Sequence, residues 1–263
     1  MNHPLSQISP DARIGENVTI EPFVTIKGDV EIGDGCWIGS NAVVHDGARI
    51  GKNTRIFPGA VVSSIPQDLK FRGEHTTCEI GKNCTIREFA TINRGTNHSH
   101  KTVIGDNVLV MAYAHVAHDC FIDDHAIIAN SVNLAGHVRI DEYAIISAMS
   151  AVHQFVRIGR HVILQGGSLV AKDIPPYTKV ARYPVRYMGV NSIGLRRRGY
   201  DPDTIRHIQE VYRVLFLSGR NRSQALAHLE KHFPASGIRD EIINFVRSSE
   251  RGVMKGYYNR SDV

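Results

Sequence analysis

The stretch Arg13-Ile14-Gly15-Glu16-Asn17-Val18-Thr19-Ile20-Glu21-Pro22-Phe23-Val24-Thr25-Ile26 decides the fold, because its three isoleucines stand six residues apart. The same step begins at Ile8, continues through Ile32, Ile38, Val44, Ile50, Ile56 and Val62, resumes at Ile80, Ile86 and Ile92, and runs again from Ile104 to Val170. Of the 28 positions in that series 25 are aliphatic, and the exceptions are Asp68, Glu74 and His98. A period of six matches neither a helix nor a simple strand. It matches a solenoid with one hexapeptide per flat side, the parallel β-helix. Two residues before each aliphatic stands a small or β-branched residue such as Ala12, Val18 or Cys36, and at seven places a Gly follows it, as at Gly15, Gly33 and Gly51. The aliphatic is expected to point inward, its small partner to fill a corner, and the Gly to permit a tight turn. Three sides make a coil of about 18 residues, and coils stack at roughly 4.8 Å, giving about eight coils between residues 8 and 170. Because the register survives them, residues 63–79 and 93–103 read as loops thrown outward.

The rest of the composition narrows the class. The chain has 263 residues, no apolar run long enough to span a bilayer and no charged-then-apolar leader, so no integral membrane contact is expected. Cys36, Cys78, Cys84 and Cys120 all occupy the small-residue slot and form no CxxC, which predicts packing thiols and a cytoplasmic protein. The net charge of +5 resides in residues 191–263, where 13 Lys and Arg face 8 Asp and Glu. That tail is either a solvated helical surface or a docking site for an acidic partner or phosphate. It carries no nucleic-acid motif, so no nucleic acid is expected as a partner.

Asp173-Ile174-Pro175-Pro176 is expected to end the solenoid, since proline cannot extend a ladder. We therefore divide the chain into a β-helix domain, 1–190, and an α-helical subdomain, 191–263. Asp201-Pro202-Asp203 reads as a helix start, followed by Ile205, Ile208, Val211 and Tyr212 at helical spacing. A second helix is expected near Ser223 and a third through Ile238, Ile242, Phe245 and Val246. Among the 14 histidines, His118 lies two residues past Val116 and is followed by Asp119. His137 lies one coil plus one residue further on, so the two imidazoles should meet across adjacent coils. His115 and His153 extend a line of histidines up one edge. Such a line is either a site or the ordinary decoration of turns by polar residues.

Six segments, in order and at matching separations, carry a specific resemblance. They are Gln67-Asp68-Leu69-Lys70, Ile92-Asn93-Arg94-Gly95-Thr96, Ala114-His115-Val116-Ala117-His118-Asp119-Cys120, Asn133-Leu134-Ala135-Gly136-His137-Val138, Ala151-Val152-His153-Gln154-Phe155 and Gly189-Val190-Asn191 with Leu195-Arg196-Arg197-Arg198-Gly199. Together they resemble the acyl-[acyl-carrier-protein]–UDP-N-acetylglucosamine O-acyltransferases of lipid A synthesis, over essentially the full chain. The resemblance implies a left-handed β-helix, where general crossover rules would favour the other hand. It implies a cytoplasmic homotrimer that moves an (R)-3-hydroxyacyl group from acyl carrier protein to the 3-hydroxyl of UDP-N-acetylglucosamine, with no metal and no organic cofactor. Some members use a 3-amino acceptor instead. By the same resemblance His118 is the general base, Asp119 its orienter and the Gly136 amide the oxyanion donor, which suits a hydroxyl nucleophile that needs a base near neutral pH. Asp68, Lys70, His115, His137, His153 and Gln154 match sugar-nucleotide contacts or their surroundings. Asn191 and Arg197 match tail positions that reach the acyl chain or phosphates. Gly166 matches the position that measures acyl length, and a glycine there implies a chain of about 14 to 16 carbons, the alternative being that Gly166-Gly167 simply makes a turn of the coil. Ile193 departs from the family, which places an acidic residue there. A γ-class carbonic anhydrase shares the solenoid and uses three histidines on zinc, but would leave the tail unexplained. A sister N-acyltransferase carries an extra N-terminal domain, and a silent scaffold would not keep a base, its Asp and a phosphate-binding Arg.

Overall fold

A computed structural model describes residues 3–256. Each hexapeptide yields a short strand, typically two residues, whose aliphatic is buried, as in Thr19–Ile20 and Thr25–Ile26. Every third strand joins the same parallel sheet, which produces a left-handed β-helix with three flat faces. The nine-stranded face runs from Gln7–Ile8 to Leu169–Val170, the eight-stranded face from Arg13–Ile14 to Arg157–Ile158, and the ten-stranded face starts at Thr19–Ile20. Register follows the periodicity: Ile8 pairs with Ile26, Val44 with Val62, and Val62 with Ile92 across the first loop. The core is therefore a continuous column of Ile, Val and Leu, with Ala and Cys in the corners. All four thiols are free and buried, and burial pushes those of Cys78 and Cys120 up to about 12 and that of Cys84 up to about 11.

The turns differ from the sequence expectation. The Gly directly after the aliphatic is not in the left-handed region; instead its missing Cβ makes room for the next coil, since a Cβ on Gly33 would lie 2.8 Å from the Lys52 amide nitrogen. Positive φ falls three residues past the aliphatic, at Asn17, Asn53, Tyr113, Asp119, His137 and Phe155 among others. Asn and Asp tolerate that region through short-range hydrogen bonding, and stacking across coils supports the bulkier residues there.

The prolines also do not end the stack. Pro175 and Pro176 occupy a corner, where no ladder donor is needed, and Thr178–Ala181 pairs parallel to Ile163–Leu164 before Arg186–Val190 folds back antiparallel. The connector contains a short helix, α1 (Ser192–Arg197), capped by Asn191. Three longer helices follow as read: α2 (Pro202–Leu217), α3 (Arg222–His232) and α4 (Gly237–Arg247), with Asp201, Asn221 and Ser236 as N-caps. Their apolar faces share one core with the last coils, and ion pairs fasten the seam: Arg160 reaches Glu142 at 3.2 Å and Glu241 at 2.6 Å. Among the described residues, no helix is long and apolar enough to cross a membrane.

Candidate active site

The corner between the nine- and eight-stranded faces gathers most of the singled-out residues. Because coils repeat every 18 residues, His118, Gly136 and Gln154 form one column and Asp119, His137 and Phe155 the next. The second column sits in the left-handed region, at φ 58°, 63° and 65°. The histidine line is thus not straight. His137 stacks on Phe155 (4.3 Å between centroids, 7° between planes) and meets His118 edge-on at 5.1 Å. His153 falls in another column, stays exposed, and its Nδ1 lies 3.2 Å from the Gln154 carbonyl.

Asp119 is the centre of this corner. Its carboxylate accepts from the Thr96 amide (3.1 Å) and hydroxyl (2.6 Å), from the Ser99 amide (3.1 Å) and hydroxyl, and from His118 Nδ1 (2.7 Å). Burial alone would push its pKa up, but the bonds from His118, Ser99 and Thr96 outweigh burial and hold it well below the usual carboxylate range. With Nδ1 committed, the other ring nitrogen of His118 remains open. Gly136 lies directly under that ring: a Cβ there would come within 2.8 Å of Nε2 and 2.6 Å of Cε1, so only glycine leaves the imidazole its place. The Gly136 amide has no acceptor among the described residues. At equivalent corners Glu16 and Lys82 give that amide to Asp34 and Asp106.

His115 Nδ1 contacts the Thr91 hydroxyl at 2.7 Å, and burial, helped by the charge of His118, holds its pKa below the ordinary imidazole value. Burial does the same to His137, with His118 and His98 adding to the effect and Asp119 opposing it. His118, Asp119 and His137 offer donor atoms within 4.8 Å of one another, a spacing that would also suit a metal. The oxygens of Asp119 are already shared by five donors and His118 Nδ1 is bonded to it, so these two groups are engaged in orienting an imidazole, whereas His137 Nδ1 is buried without a hydrogen-bond partner.

Two clefts meet beside the corner. One, about 300 Å³, opens toward the first loop and takes in Asp68, Lys70, Phe71 and His137. The other, about 530 Å³, runs along the eight-stranded face past Arg139, Arg157 and Arg251. Both touch His98, which the sequence reading passed over as an exception to the repeat. Gly166, Asn191 and Arg197 are not brought to this corner. Gly166 stands where the ten-stranded face turns into the nine-stranded one, and it does not need a positive φ, whereas Gly167 does (70°). Asn191 is buried, its oxygen caps α1 at the Gly194 amide (3.2 Å) and its nitrogen donates to the His161 carbonyl (2.9 Å). Both ends of its side chain are thereby occupied, so it positions α1, which carries the exposed Arg197 and, at 63% exposure, Ile193.

Residues 173–254 match the family described as UDP-N-acetylglucosamine O-acyltransferase, domain 2, and residues 29–64 and 101–136 match bacterial transferase hexapeptide repeats. The chain is 48% identical over 252 residues to an acyl-[acyl-carrier-protein]–UDP-N-acetylglucosamine O-acyltransferase of Sulfurihydrogenibium, covering 95% of this chain and 93% of the relative. It is 57% identical over 204 residues to the protein of that name from Aquifex aeolicus, covering 76% and 77%. The solved UDP-N-acetylglucosamine acyltransferase of Bacteroides fragilis superposes with a TM-score of 0.95 at 50% identity, covering 97% of this chain and 100% of that one.

Proposed function

Since the chain belongs to the family of acyl-[acyl-carrier-protein]–UDP-N-acetylglucosamine O-acyltransferases, we propose that it moves an (R)-3-hydroxyacyl chain from acyl carrier protein to the 3-hydroxyl of UDP-N-acetylglucosamine, the opening step of lipid A biosynthesis. The observation that carries the chemistry is His118 paired to Asp119 at 2.7 Å above the unengaged Gly136 amide. Asp119 accepts the Nδ1 proton and so fixes the tautomer with a lone pair on Nε2. Nε2 takes the proton of the sugar hydroxyl as its oxygen attacks the thioester carbon. The Gly136 N–H stabilises the resulting oxyanion. Collapse expels the carrier thiolate, which takes the proton back from the imidazolium and leaves as a thiol. Burial biases His115 and His137 toward their neutral forms, which leaves the imidazole bonded to the carboxylate to hold the proton in transit.

Asp68, Lys70, His115, His137, His153 and Gln154 surround this corner and serve the acceptor. Gly166 stands at another corner and Arg197 on α1, so a neighbouring copy supplies them, while the buried Asn191 serves by holding α1 in place. The active enzyme is accordingly a homotrimer with its sites between adjacent prisms, and four buried thiols suit a cytoplasmic setting. Incubating the purified protein with UDP-N-acetylglucosamine and (R)-3-hydroxyacyl carrier protein should yield the acylated sugar nucleotide and free carrier thiol. Absence of product at every chain length would sink this reading.

A further inference from the structure

We propose that His98 is an acceptor-binding residue whose ring hydrogen-bonds an oxygen of the hexosamine–diphosphate portion of the sugar nucleotide; this rests on the function proposed above. The repeat would put an aliphatic at position 98, yet the residue lies in the outward loop and contributes nothing to the core. That loop is held firmly. Thr96 and Ser99, which flank the position, both bond the Asp119 carboxylate, the His100 amide donates to the Thr96 carbonyl at 2.8 Å and the Gly95 amide to the Thr77 carbonyl at 3.1 Å. The His98 ring is fixed in turn against His137, edge-on at 4.5 Å, and lies 6.3 Å from Phe155.

An imidazole so placed, exposed and with no hydrogen-bond partner for either ring nitrogen among the described residues, is preorganised for something outside the chain. It stands where the two clefts join. On one side, Asp68, Lys70 and Asn97 converge between the rings of Phe71 and Phe155, a polar pocket with aromatic walls that suits a sugar. On the other side, Arg139 has no ion-pair partner among the described residues and Arg157 gives one arm only to Ser248, so both guanidiniums retain donors for phosphate. A neutral imidazole offers one donor and one acceptor, which serves a hydroxyl or a phosphate oxygen.

Calorimetric titration of UDP-N-acetylglucosamine, UDP and N-acetylglucosamine 1-phosphate into wild type, His98→Ala and His98→Gln tests the assignment. His98→Ala should weaken UDP-N-acetylglucosamine roughly three- to tenfold, the scale of one hydrogen bond, while His98→Gln, whose amide also donates and accepts, recovers part of the loss. The Michaelis constant for the carrier substrate, kcat and the melting temperature should stay near wild type. An equal loss with UDP assigns the contact to the diphosphate, and a loss confined to the two sugar ligands assigns it to the hexosamine. Unchanged affinity for all three ligands, or a fall in kcat at unchanged affinity, overturns the proposal. Failure of wild type itself to bind UDP-N-acetylglucosamine would instead overturn the reading on which it rests.

Discussion

Asp119 shows how much a single residue can organise. A carboxylate at 2% exposure is costly to ionise without partners, and here five donors meet it. Replacing His118 by Ala should leave the prism intact, because the ring lies on the corner and not in the core, and should lower turnover by about 10²–10⁴-fold. Comparing kcat with circular dichroism of the same preparation checks both halves, and near-normal turnover in folded protein would refute the base assignment. His118, Asp119 and Gly136 were singled out through the family resemblance, and the repeat register made it legible that His118 and His137 would meet across adjacent coils. Thr96 and Ser99 were not, since they sit in a loop with no period and become partners of Asp119 only once the coils stack. Gly166 is a second residue-scale test. Its missing Cβ would sit 3.0 Å from the Ala148 carbonyl oxygen, a tight but not torsional constraint. If it marks the end of an acyl groove, each further methylene that fits adds roughly 0.8 kcal/mol, or about fourfold. Gly166→Met should then shift preference from 14-carbon toward 10-carbon donors in a competition assay, and an unaltered ratio would reduce Gly166 to a corner filler.

Helix α3 is closed at its N-terminus by a capping box of Asn221 and Gln224, yet its first turn carries a charge that does not favour the helix. Arg222 opens it with a cation at the positive end of the helix dipole, and its first turn holds no acid. Arg220 and Arg222 join Lys172 and Lys255 around a cleft of about 550 Å³ floored by Leu215, Phe216 and Met254. None of these four cations has a carboxylate partner among the described residues. Arg198, by contrast, already lies over the Tyr143 ring at 4.9 Å. Opposite charges steer encounter, and salt screens them over about 8 Å. Reversing Arg220 and Arg222 to Glu should raise the Michaelis constant for the acyl carrier substrate several-fold at low salt while sparing that for the nucleotide. An unchanged carrier constant would move the docking surface elsewhere. The longer helices were legible from caps and apolar spacing, and they begin close to the expected positions, at Pro202, Arg222 and Gly237. Helix α1 was not, because six residues around Gly194 carry too few apolar positions to show a period. The turn chemistry was misplaced for a related reason: a bare Gly signals both a bend and a close approach, and only the stacked backbone separates the two.

At the scale of the whole molecule, the faces are unequal. Phe89, Tyr113 and Met149, at 52%, 62% and 74% exposure, line one corner, and Leu169 at 53% adjoins them. The eight-stranded face carries Arg13 on Glu31 at 3.0 Å and Lys101 on Glu79 at 3.2 Å instead. An apolar corner opposite a charged face fits burial of the former against other copies, so sedimentation of active enzyme should give a trimer mass; a monomer under turnover conditions would remove the neighbour from the site. The two ends of the prism are unequal as well. At the tail end Val170, Ile174 and Val180 are sealed under the hairpin and helices, while Ile8 and Ile14 in the first coil stay half-buried. Each coil touches only the next, so stability behaves as a chain of neighbour terms. The protein should therefore unzip from its open end. Amide protection measured by hydrogen exchange should climb coil by coil from Ile8, and the corner that holds His118 and Asp119, many rungs further on, keeps its shape while the first rungs breathe.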